Sequence, residues 1–528
     1  MFEVNQEYLN TLANGSLPLN ASISGTISLV SGGTIELDAN NLIFSSLNIN
    51  NKSCSGSSLE IGSAFIGECK FQLITDLYLY DLYDAKVEIF YDALENHIPL
   101  GVYYVSEATR KSKVLTVTAY DGMQKLDENI GNFTTNGRPY AVLSWLCRMT
   151  GTELQNTEEE VLAMANGDVV LNVGGGIYGT YRDALKDVAS VLGGFATFNR
   201  YGKLEIRQYK TTPNGTLSAR QRKNQKISEY ISYISEVDAV VDSITYKAVL
   251  SDNSGLVYSL SNKMITGLVS TIQPMIDEIL DAVKDLSYRP AEYNIVYNPI
   301  FDLGDLITVA ADGYVLQNSV QTVITSYSFT YHSSSKITGV GESIFLSKRN
   351  KKKNGGASDS SNAFSKNNGT YIETYENIEE YEVGSTRTKI VSIDYANGSA
   401  DVIVLHGQAC IDCETAGTIQ LIYGCDGEDE TFSPKHQIQV GYNTIEFYCY
   451  FLEPEPNWLS TYTVDIVSED ASGTIEIGNI RADVMATMFG NGRFLVNNVF
   501  DEQIPYYNRT NTQFLIGEED PFAEEDDE

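Results

Sequence analysis

Tryptophan, histidine, proline and positive charge are all scarce in this 528-residue chain: 2 Trp, 4 His and 12 Pro, with 36 Lys and Arg against 70 Asp and Glu. A formal charge of -34 repels phosphates and anionic membranes, so no specific nucleic-acid binding is expected. No apolar run approaches the roughly 20 residues of a membrane helix, which predicts no membrane-spanning segment. The start, Met1-Phe2-Glu3-Val4-Asn5-Gln6-Glu7, lacks a basic region followed by an apolar one, so no signal peptide is expected. Seven scattered Cys, an odd number, read as reduced thiols rather than a disulfide framework. Triplets such as Asn14-Gly15-Ser16 then carry no weight as glycosylation sites.

What is abundant is Tyr, at 34, and Gly, at 42. That excess favours many short strands joined by tight turns. The length predicts about three to four domains. Charge is uneven: residues 371–528 hold 6 Lys and Arg against 31 Asp and Glu, and residues 1–370 hold 30 against 39.

Residues 21–122 read as β throughout. Ile23, Ile27 and Leu29 keep a period of two, Ser31-Gly32-Gly33 turns, and Thr34-Ile35-Glu36-Leu37 returns; spacing this short without helices predicts an antiparallel barrel or sandwich. Helices follow. One starts at Pro139, with Val142, Leu143, Leu146 and Met149 on one face and Gly151 as its stop; a second starts at Thr180 and ends at Gly193-Gly194. A hairpin is expected from Phe195–Asn199 and Leu204–Tyr209 across Arg200-Tyr201-Gly202-Lys203. Gly174-Gly175-Gly176-Ile177-Tyr178-Gly179 satisfies the dinucleotide pattern literally. The strand after the helix turns into an antiparallel hairpin instead of a parallel return, so a glycine turn is the better reading. The basic stretch Arg220, Arg222, Lys223, Lys226 reads as a solvated turn. A third helix, Ile272 to Leu286, sets Met275, Ile276, Ile279, Leu280 and Val283 on one side.

The stretch that organises the chain is Asn298-Pro299-Ile300-Phe301-Asp302-Leu303-Gly304-Asp305-Leu306-Ile307-Thr308-Val309, for which Val320 to Tyr331 is a candidate antiparallel partner. Its wording, with Leu59-Glu60-Ile61-Gly62-Ser63-Ala64, Pro99-Leu100-Gly101-Val102-Tyr103-Tyr104-Val105 and Thr116-Val117-Thr118-Ala119-Tyr120-Asp121-Gly122-Met123 in the same order, resembles the tail hub proteins of phages and prophages of Gram-positive bacteria. The resemblance covers about residues 20–346. It implies two barrel-like β domains, a homotrimer that adapts a sixfold tube to a threefold tip, and a lumen closed until tape measure protein and DNA leave. The implied partners are the distal tail or tail tube protein and the tape measure protein; apart from the resemblance, a tail fibre or receptor-binding protein is a candidate partner at the carboxyl-terminal domain. The implied location is the distal tip of the virion tail, after synthesis in the bacterial host's cytoplasm.

The fold class expected is therefore mainly β with an α+β insertion: a first hub β region at 1–130, the insert at 131–219, a second hub β region at 220–347, a flexible linker at 348–369, a β-sandwich at 370–516 and an acidic disordered tail at 517–528. In the sandwich, Cys410, Cys413, Cys425 and Cys449 with His406 and His436 raise the idea of a metal, but a single C-x-x-C lacks the second knuckle of a zinc ribbon. Tyr442, Tyr448, Tyr450, Trp458 and Tyr462 raise an aromatic platform for a sugar ring, against the plainer reading of core and edge residues. No nucleophile sits by a base in a recognisable elbow. No catalytic, cofactor-binding or metal residue is assigned, and the chain is expected not to be an enzyme. A host-surface carbohydrate-binding adhesin and a tail-associated cell-wall hydrolase are the rival readings.

Overall fold

A computed structural model describes residues 1–343, apart from 19, 44, 77–81, 132, 175–176, 242–243, 252–253, 267–268 and 297, and residues 371–487, apart from 397–401 and 453–458, with two short strands at 494–495 and 513–514. The expected linker at 348–369, the acidic tail at 517–528, Gly175-Gly176 and Trp458 lie outside the described residues. The protein is mainly β, and two compact units are distinguished: residues 1–131, 136–173 and 177–358 form the first, residues 132–135, 174–176 and 359–528 the second.

In the first unit, strands from residues 1–130 and from residues 220–347 share one eleven-stranded sheet. The seam is Ser326–Thr330 on Asn48–Lys52, in antiparallel register from Ser326 opposite Lys52 to Thr330 opposite Asn48. Among the described residues the strand path is open, ending at Arg222–Ile227 and Thr34–Leu37, and closes into no barrel. The expected long partner strand, Val320 to Tyr331, is divided between sheets. Val320–Val323 pairs with Leu306–Val309, and after Ile324-Thr325 the chain crosses to Ser326–Thr330 in the large sheet. The Asp305 carbonyl accepts the Ile324 amide and the Thr338 carbonyl the Thr325 amide, at 2.8 and 2.9 Å; these two bonds fix the crossover.

The helices follow their sequence signals. α1, Gln6–Ala13, was not anticipated; the Asn5 side chain caps it by accepting from the Tyr8 amide. α2, Pro139–Thr150, begins on its proline and stops at Gly151 in the left-handed conformation. α3, Glu158–Leu162, was also unanticipated although Thr157 and Glu160 form a reciprocal capping box. α4, Tyr181–Val191, is capped by Thr180. α5, Val269–Val283, buries Met275, Ile276, Ile279, Leu280 and Val283 as its periodicity predicts. The basic stretch is a correction: Arg222–Ile227 is a strand paired with Ala291–Val296. Arg222 is buried there, donating to the Ala310 carbonyl at 2.7 Å and facing Asp312 at 3.6 Å, so its charge is matched inside the fold.

The second unit is a β-sandwich. Val402–Thr415 pairs with Gly441–Leu452 on one side and Ile480–Thr487 on the other. The facing sheet holds Thr388–Ala396, Leu459–Ser468, Gly417–Cys425 and Lys435–Ile438. Alternate residues from both sheets, among them Leu405, Phe447, Val484, Ile393, Leu421 and Val464, meet in one apolar core.

Candidate functional site

The Asn298–Val309 stretch makes its turn at Gly304, φ +83°, where an added Cβ would come within 3.1 Å of the Phe195 ring. The Gly304 amide donates to the Ile324 carbonyl at 2.8 Å, and its carbonyl accepts from the Lys210 amide at 2.9 Å. The turn thereby joins the Phe195–Phe198/Leu204–Arg207 hairpin to the strand crossover. Around it lies a network of charge. Asp302 accepts from Arg200 at 2.9 Å and stands 3.9 Å from Arg207. Arg200 gives its other N–H groups to the Pro99 and Phe301 carbonyls, each at 2.9 Å. Asp305 accepts the Asp302 amide at 2.9 Å, the Asn214 side chain at 2.5 Å and the Met1 ammonium at 2.8 Å. Burial pushes the Asp302 carboxyl up, but Arg200 and then Arg207 outweigh it and hold the group below the usual carboxylate range.

Next to this network is a cavity of about 50 Å³ lined by Asn51, Tyr103, Asp121, Arg200, Asp302 and Tyr327, among others. Asp121 is 5 % exposed. Its two oxygens accept the Gly67 and Met123 amides at 2.9 and 3.0 Å. Burial nevertheless prevails, and the carboxyl is pushed up to about 7. Burial likewise raises the Tyr103 phenol, which donates to the Leu100 carbonyl at 3.2 Å. A space of this size takes a few waters at about 10–15 Å³ each; a substrate needs far more.

Three of the four phrases singled out in the sequence reach this cavity, through Leu100 to Tyr103, Asp121, and Pro299 to Leu303. The fourth is held at the two ends of the Phe195–Arg207 hairpin: the Tyr209 hydroxyl donates to the Glu60 carbonyl at 2.9 Å, and the Gly62 amide to the Gly194 carbonyl at 2.6 Å. Arg200 and Arg207 were missed. Their signal was an arginine in a hairpin turn and another at its strand end, which acquire meaning only beside Asp302.

The strand after α4 makes no parallel return toward the glycine-rich stretch. Phe195–Phe198 pairs antiparallel with Leu204–Arg207, and Leu171–Gly174 belongs to a different sheet. In the sandwich, Cys410 and Cys413 lie on one strand three residues apart, so the two-residue alternation sends them to opposite faces, Cys413 into the core. Among the described residues no group of three or more His, Cys, Asp and Glu is placed to hold a metal ion. Tyr462 is a core residue, whereas Tyr442, Tyr448 and Tyr450 share the outward side of Gly441–Leu452. Among the described residues no helix is long and apolar enough to cross a membrane.

No family model matches the chain, and no curated protein does. Among solved structures it is similar to the 43 kDa tail protein of prophage MuSo2 from Shewanella oneidensis, at 12% identity and a TM-score of 0.41, over 61% of this chain and 98% of that one. It is also similar to the tail protein from Neisseria meningitidis MC58, at 12% identity and a TM-score of 0.39, over 61% and 97%.

Proposed function

We propose that the chain is a structural protein of a phage or prophage tail, a hub at the distal tip that assembles as a homotrimer, closes the tube and opens for DNA ejection. The observation that carries this reading is the convergence of the phrases resembling tail hubs on one buried junction. Their carboxylates are bound up in internal pairs and amide caps, and the adjoining cavity is small, about 50 Å³. Such a junction serves to hold sheets together, a scaffold's task rather than a catalyst's. The neighbours in this reading are the distal tail or tail tube protein and the tape measure protein, with a fibre or receptor-binding protein at the second unit.

Light scattering on the full chain, with negative-stain images, tests it. The expected result is a mass three times 58.3 kDa and threefold rings. A monomer that also fails to join a ring when mixed with the tail tube protein would overturn the proposal.

A further inference from the structure

The second unit presents an outward sheet face whose chemistry the tail reading leaves unused. Register places Tyr448 beside His406 and His406 beside Asp483 in one row across three strands. The next row along the strands is Glu446, Gln408 and Arg481, all exposed. On the other side of Tyr448 stands Tyr450. The two tyrosine rings are perpendicular, 82° with centroids 4.7 Å apart, and the Tyr448 hydroxyl donates to that of Tyr450 at 2.5 Å. His406 meets Tyr448 edge-on at 5.6 Å, and the Thr374 hydroxyl holds Asp483 at 2.8 Å.

We propose that this face binds a neutral, pyranose-containing polysaccharide. Two rings at a right angle make a corner in which the C–H face of a pyranose lies on one ring and its edge against the other, burying apolar carbon on both. Sugar hydroxyls then need donors and acceptors at the rim in planar pairs. The Gln408 amide, the Glu446 carboxylate and the Arg481 guanidinium provide them, one strand spacing of about 4.8 Å apart. The occupant's charge follows from the surroundings. Three carboxylates, Glu446, Asp483 and Glu376 opposite Arg481, surround that guanidinium on this face, in a stretch with 6 Lys and Arg against 31 Asp and Glu, so polyanions such as sulfated or phosphate-bearing polymers are repelled. The inference does not depend on the trimer or on the position in the tail.

The test is a glycan array probed with the full chain, carrying neutral hexose, N-acetylhexosamine, uronic acid and sulfated oligosaccharides. Binding is expected to the neutral or N-acetylated sugars, and to weaken at least about tenfold in Tyr448→Ala/Tyr450→Ala, as for the aromatic centre of an interface. Gln408→Ala/Glu446→Ala, at exposed positions where folding is not at stake, should weaken it as well. Tyr448→Phe keeps the ring and should retain most of it. Absence of array binding, preference for the anionic sugars, or binding unchanged in both double variants would each overturn the proposal; the first outcome would leave a protein partner as the occupant.

Discussion

At the scale of single residues, the junction separates the buried Asp121 from the half-buried Asp302 by what surrounds them. Asp302 has two guanidinium groups and stays ionised. Asp121 has two amide dipoles and the weaker pull of Arg182, and with its carboxyl pushed up to about 7 by burial it keeps a proton in the folded chain that the unfolded chain releases near 4. Folding therefore loses stability as pH rises from about 4 to about 7, by an amount on the order of 2–4 kcal/mol at neutral pH. Asp121→Asn removes this slope, yet sets an NH₂ against one of the two amides that the carboxylate accepts, at a cost of about 1–3 kcal/mol. Urea melts at pH 4.5 and 7.5 should show a larger loss of stability between the two values in the wild-type chain than in the variant; parallel pH profiles would refute the assignment. Arg200 permits a second expectation. Its three contacts, to Asp302 and the Pro99 and Phe301 carbonyls, demand a planar fork, so Arg200→Lys should lose most of what Arg200→Ala loses, about 3 kcal/mol by denaturant unfolding. Full rescue by lysine would show that charge alone matters.

At the scale of elements, legibility tracked how local the cause was. Gly151, Thr180 and Pro139 act within one turn of their own helices, and those ends could be read from the sequence. The Thr157/Glu160 box was equally local and was simply passed over. The break at Ile324-Thr325 was not legible, because Val320 to Tyr331 is an unbroken β pattern and the bonds that divide it come from Asp305 and Thr338. The same holds for Arg222, which looks solvated until Asp312 and the Ala310 carbonyl are brought to it. The junction was half legible: its phrases stood out by wording, while the arginines that neutralise Asp302 lie about a hundred positions away. Gly62 gives this scale its prediction. With φ +82° and an added Cβ 2.4 Å from the Ser190 side chain and 2.8 Å from the Lys186 carbonyl, Gly62→Ala must push α4 off the Gly62 turn at a cost above about 2 kcal/mol. Gly32, also at positive φ but with open space around it, should lose less on the same change. Equal thermal shifts for the two variants would mean that backbone strain, not the helix contact, dominates.

At the scale of the whole molecule, charge governs association. Each copy carries a formal -34, so three copies in the proposed ring would repel one another over a distance that salt controls: the screening length falls from about 30 Å at 0.01 M to about 10 Å at 0.1 M. If apolar contacts and backbone pairing hold the trimer, added salt removes only the repulsion. The trimer fraction measured by light scattering should then rise from 20 to 300 mM NaCl at fixed protein concentration. The same charge keeps duplex DNA away, so a 30-base-pair duplex should remain unshifted by the chain at about 50 mM salt, where counterion release would favour any real phosphate contact. A trimer that forms at low salt and falls apart as salt is added would mean that opposite charges meet across the interface. The basic residues of positions 1–370 would then have to be its partners for the acidic excess, and the assembly would be electrostatic rather than built on buried sheet.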